Sequence, residues 1–98
     1  MVIVHVTVDV KQEERAAFVR MMDDFIADTL SVDACQSFIL YQQAQDNNCF
    51  ALYEEWDSAD SFNAYTQTER FGQFRASLGP LIAAPPVSNR YEAQSISG

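Results

Sequence analysis

The chain has 98 residues, 48% of them apolar, and six Lys plus Arg against fourteen Asp plus Glu give a formal net charge of -8. That length holds a single domain spanning residues 1-98, and a chain so small buries only about two thirds of the surface its unfolded form exposes, so a partner subunit is expected. The few basic residues are scattered from Lys11 to Arg90, leaving no stripe to neutralise phosphates, and nucleic-acid binding is not expected.

Val2, Val4, Val6, Val8 and Val10 alternate with Ile3, His5, Thr7 and Asp9, the period and β-branched content of a strand. This opening has no basic n-region, no small-residue cleavage site and too short an apolar run for a membrane span, so neither export nor membrane insertion is expected. Two cysteines without an export signal read as free thiols in a reducing compartment, which makes the cytoplasm the expected location.

From Lys11 the period changes. Phe18, Met21, Met22, Phe25, Ile26, Thr29 and Leu30 recur every three or four residues, predicting an amphipathic helix of roughly 18 residues. Two apolar runs, Cys35 to Gln42 and Cys49 to Trp56, flank the polar Gln43-Ala44-Gln45-Asp46-Asn47-Asn48 and predict a β-hairpin. Ser58 is a natural N-cap. Phe62, Tyr65, Phe71, Phe74, Leu78, Leu81 and Ile82 continue a helical pattern that Gly72 and Gly79-Pro80 divide into two short helices and a turn. Val87 to Ile96 closes the chain as a last strand.

The order strand, helix, strand, strand, helix, strand is that of a ferredoxin-like βαββαβ sandwich in the α+β class. Helices cover one face of such a sheet, yet both faces here carry large apolar residues, so the second face needs a partner. Packing two sheets face to face would bury the valines between subunits and leave Ile3, His5 and Thr7 beneath each subunit's own helices. The alternation alone is equally compatible with the reverse.

Chemistry-bearing residues are few. Cys35 falls opposite Trp56 and Cys49 opposite about Gln42, so the two cannot bridge. Neither has a basic neighbour in sequence to activate it, which favours structural thiols. One His and two unspaced Cys cannot supply a tetrahedral zinc set. His5 is either a satisfied strand residue or a proton relay beneath the helices. Glu54 and Glu55 must point to opposite faces of their strand, and the inward one needs a partner, most simply a rim salt bridge. Arg75, carried along an apolar stripe between Phe74 and Leu78, either snorkels over the core or clamps an anionic oxygen. No nucleotide loop, HExxH or EF-hand pattern is present.

The Val-His-Val-Thr-Val strand, the Lys11, Glu13, Arg15, Phe18 helix start, the stretch from Cys35 to Tyr41, Leu52-Tyr53-Glu54-Glu55-Trp56, the aromatics Phe62, Phe71 and Phe74, and the Pro85-Pro86 then Arg90-Tyr91 exit together resemble the antibiotic biosynthesis monooxygenase family. The resemblance covers nearly the whole chain and implies a homodimeric α+β barrel. It implies cofactor-free oxidation of a quinol, anthrone or polycyclic phenol in a pocket between sheet and helices, with no metal. The anthrone-oxygenase type uses an Asn on the third strand, a Trp ending it, a Tyr in the second helix and an Arg beyond. Trp56 and Arg75 match that set, whereas Leu52 stands in the place of the Asn and Phe62 in that of the Tyr. The haem-degrading type's Asn, Trp and His are replaced by His5, Tyr65 and Arg75. Relatives with two histidines around the second helix have them where Tyr65 and Arg70 stand here.

The resemblance thus implies His5, Arg75 and Trp56 as catalytic residues, and Leu52, Phe62, Tyr65, Phe71 and Phe74 as the substrate walls. An isomerase or lyase acting on a small carbonyl or phosphorylated compound, and a non-catalytic dimeric ligand-binding domain, are the alternatives.

Overall fold

The structure, a computed structural model, describes residues 1-96. Four strands, β1 (Val2–Asp9), β2 (Cys35–Gln42), β3 (Cys49–Trp56) and β4 (Val87–Glu92), form one antiparallel sheet in the order β2-β3-β1-β4. Three helices, α1 (Arg15–Leu30), α2 (Ala59–Thr66) and α3 (Glu69–Leu78), complete it. This is the expected ferredoxin-like α+β arrangement.

Which sheet face the helices cover is the reverse of the packing anticipated above. Val2, Val4, Val8 and Val10 are at most 3% exposed and share the core with Phe18, Met22 and Phe25 of α1. Ile3, His5 and Thr7 lie on the other side, half-exposed. The physical reason is complementary volume. Short β-branched valines make a shallow floor into which the long Phe and Met side chains of a helix interdigitate, and the polar His5 and Thr7 are kept out of that apolar layer.

The first predicted helix is shorter than its period implied, because Gln12–Glu14 forms a tighter 3-10 turn before α1 begins. Its last turn is anchored by Thr29, fully buried, whose hydroxyl lies 2.8 Å from the Phe25 carbonyl and 2.7 Å from the Tyr65 hydroxyl. The hairpin pairs Cys35 with Trp56 as expected, but a bulge between Cys35 and Ser37 shifts the rest by one residue, so that Gln42 lies opposite Phe50 and not Cys49.

Ser58 caps α2 by accepting from the Ser61 amide. The break between the two short helices is not at Gly72, which sits inside α3, but at Gln67 and Thr68. One hydroxyl makes the break: Thr68 Oγ1 donates to the Tyr65 carbonyl at 2.7 Å and accepts from the Phe71 amide at 3.3 Å, ending α2 and capping α3. The last strand stops at Glu92 rather than Ile96, and all six of its residues are exposed.

Candidate functional site

Between the sheet and the helices lies a cavity of about 530 Å³, within the roughly 300–1,000 Å³ typical of small-molecule sites. Its floor is Val4, Val6, Leu52 and Glu54; Phe62, Phe71 and Phe74 wall it, and Arg75 and Arg90 stand at its edge. Five of the residues expected in the site therefore meet there: Leu52, Phe62, Phe71, Phe74 and Arg75.

Trp56 and Tyr65 stand one layer behind. Trp56 is fully buried and Tyr65 is 7% exposed. Their rings are 5.1 Å apart, and Trp56 lies edge-on to Phe62 at 5.4 Å. Burial pushes the Tyr65 phenol up, partly offset by its bond to Thr29. These two rings hold the wall in place and do not themselves line the cavity.

His5 is separated from the cavity by the sheet. It pairs with Tyr53 and Asn89 in register and occupies the face away from the helices, so a proton relay beneath the helices is not its position. The cause is strand parity: with the valines inward, every odd residue of β1 points out.

What takes its place inside is Glu54. The two glutamates of β3 do diverge as the alternation requires, but neither forms the expected rim salt bridge among the described residues. Glu54 is 6% exposed and accepts a hydrogen bond from the Trp56 indole Nε1 at 2.9 Å through Oε1. Burial raises its carboxyl to about 7, outweighing the lowering by that indole bond. Glu55 on the outer face accepts instead from the Tyr53 hydroxyl.

Arg90 also lines the cavity, although it was not among the expected site residues. Its guanidinium sits 4.7 Å above the Phe62 ring and donates to Asn63 Oδ1 at 2.8 Å, which orients it across the mouth of the cavity. The signal for both was alternation: Glu54 shares parity with Phe50, Leu52 and Trp56, and Arg90 lies opposite Val4.

The cysteines behave as structural thiols. Both are free, and burial together with the nearby Glu54 pushes Cys35 up to about 11, the opposite of an activated nucleophile. Among the described residues no group of three or more His, Cys, Asp and Glu is placed to hold a metal ion, and no helix is long and apolar enough to cross a membrane.

Several known proteins share this architecture. A solved structure titled as an antibiotic biosynthesis monooxygenase from Deinococcus radiodurans, described there as putative, superposes with a TM-score of 0.93 at 20% identity, covering 100% of this chain and 97% of that one. The structure of Rv0793 from Mycobacterium tuberculosis gives 0.89 at 22% identity over 99% and 98%. By sequence, that same protein, named "Putative monooxygenase Rv0793", is 27% identical over 75 residues, 76% of this chain and 73% of its own length. The uncharacterized protein sll1783 of Synechocystis is 25% identical over 91 residues, and the match takes in 93% of this chain but only 62% of that protein. Residues 1–77 match the antibiotic biosynthesis monooxygenase family, and with more than half of its length so matched, the chain belongs to that family.

Proposed function

We propose that the protein is a cofactor-independent monooxygenase that oxidises a small aromatic substrate, a quinol, anthrone or polycyclic phenol, in the cavity between sheet and helices. The observation that carries this reading is the cavity's make-up: flat aromatic walls at Phe62, Phe71 and Phe74 with a few convergent polar groups, Glu54, Arg75 and Arg90. Such a substrate supplies its own electrons. Once ionised, its electron-rich ring carbon reacts with dioxygen; for an anthrone, a CH2 becomes C=O, one oxygen atom enters the product and the other leaves with both hydrogens as water. The site has to exclude bulk water, hold the ring, and stabilise the developing oxyanion, for which the two arginines at the mouth are suited.

Oxygen uptake by the pure protein with a panel of hydroquinones and anthrones, in the presence of a chelator and without added flavin, tests it. Turnover above the spontaneous rate is expected, and none across the panel removes the reading for these substrates. The arginine pair also suits a phosphorylated or carboxylated carbonyl compound, the isomerase reading. Turnover that persists without oxygen would favour that one, and Arg75→Ala that weakens ligand binding with no rate to change would leave a binding domain.

The reading includes a homodimer. Ile39, Tyr41, Val87 and Tyr91 on the uncovered sheet face are 41%, 53%, 59% and 53% exposed, more large apolar surface than a single chain leaves in water without use. A buried area of roughly 2,000 Å² or more in total is expected. Sedimentation that finds a folded monomer at micromolar concentration would overturn it.

A further inference from the structure

We propose that Glu54 is the proton acceptor of the cavity, taking the acidic proton of a phenolic or enolisable ligand, with Trp56 as its positioning residue. The proposal rests on the reading of the cavity as a site for phenols and adds to it the group that ionises them.

Geometry carries the argument. Glu54 is the one carboxylate lining this cavity among the described residues. Its Oε1 is held by the Trp56 indole, itself fully buried and locked against Phe62 and Tyr65. The side chain lines the cavity, and among the described residues no hydrogen bond engages its Oε2. A carboxylate fixed through one oxygen and free at the other is arranged to accept a proton from something that enters.

The surroundings fit that task. From β2 the Cys35 thiol faces it, from α2 the Tyr65 phenol, from β3 the indole of Trp56, and β1 offers only valines. The two cations of the cavity, Arg75 on α3 and Arg90 on β4, stand at its edge, and Arg90 is engaged with Asn63 and Phe62. Among the described residues no cation therefore pairs with Glu54 to quench its basicity, while both arginines stand near the oxygen that loses the proton. In the step, the ligand O–H bond breaks, its electron pair stays on the ligand oxygen as phenolate, and the proton bonds to Oε2. The resulting carboxylic acid keeps the indole bond at Oε1 and later returns its proton to water through the mouth.

Trp56 is the sole tryptophan of the chain, so its indole N–H resonance in a nitrogen-15 NMR spectrum reports on Glu54 alone, without any ligand. It should titrate with a midpoint near 7, and the titration should vanish in Glu54→Gln. A resonance flat from pH 5 to 9 would overturn the proposal. The second measurement uses 1,2-dihydroxyanthraquinone, whose phenolate absorbs to the red of its phenol. Wild type should bind it with a red shift at pH 7. Glu54→Gln should bind it with the phenolate to phenol ratio lowered on the order of tenfold or more, and Glu54→Asp should restore part of the shift. An unchanged ratio in Glu54→Gln, or a dye that wild type does not bind, counts against the acceptor. If the dye ionises but no quinol consumes oxygen, the oxygenase reading fails while the acceptor stands. If quinol turnover is equal in wild type and Glu54→Gln at every pH, the acceptor fails while the oxygenase stands; the expected loss is on the order of 10²-fold.

Discussion

Glu54 and Glu55 are neighbours on one strand and chemically unalike. Glu54 points beneath the helices, is 6% exposed, and is raised to about 7 by burial. Glu55 points to the uncovered face, where its carboxylate accepts from the Tyr53 hydroxyl, a hydrogen bond that pushes the Tyr53 phenol up. The sheet is thus a partition between two dielectric environments only one side chain apart. The covered face turns a carboxylate into a group that exchanges its proton near neutrality; the open face uses the same residue type as a plain acceptor. His5, stranded on the open side, shows that side of the sheet counts for more than residue type in deciding which groups can serve the cavity.

The largest test of this contrast is Trp56→Ala. Removing a fully buried indole should cost about 3–5 kcal/mol of folding stability, measured by denaturant unfolding, and should also release Glu54 from its donor.

Next is Glu54→Gln, which keeps the shape and removes the charge. In wild type the folded protein holds the Glu54 proton more tightly than the unfolded chain, whose carboxyl titrates near 4.5. Its contribution is therefore complete below that pH and lost as pH rises towards and through about 7. Glu54→Gln should match wild type at pH 4 and exceed it at pH 8 by up to roughly 3 kcal/mol; equal stabilities at pH 8 would mean that the covered face is wetter than its burial indicates.

The smallest effect on the chain itself should come from Tyr41→Asp on the open face, where 53% of the residue is exposed. Folding of the single chain should change by about 0.5 kcal/mol or less, yet self-association in sedimentation should weaken strongly, because the charge enters the face proposed to meet the second subunit.

Much of the molecule was legible from local pattern. Alternating valines, the helical recurrence from Phe18 to Leu30, the hairpin and the Ser58 cap are set by neighbours in sequence. The aromatic walls were legible as well, since Phe62, Phe71 and Phe74 lie on the apolar stripes of two short helices. The choice of sheet face was not, because strand parity is symmetric until side-chain volumes on the opposing helix break the tie. That single ambiguity moved His5 out of the cavity and left Glu54 and Arg90 to be found in three dimensions. The helix break at Thr68 was missed for another reason: a glycine was read as the interruption, whereas a hydroxyl able to serve two helix ends at once was the stronger one.

Strand β4 closes one side of the sheet with every residue exposed, and such an edge is an invitation to fibril-like pairing with other chains. Here two prolines, Pro85 and Pro86, precede it, and Arg90 and Glu92 place opposite charges on one side of it. The strand that brings an arginine to the cavity mouth is by the same residues guarded against edge-to-edge pairing with other chains.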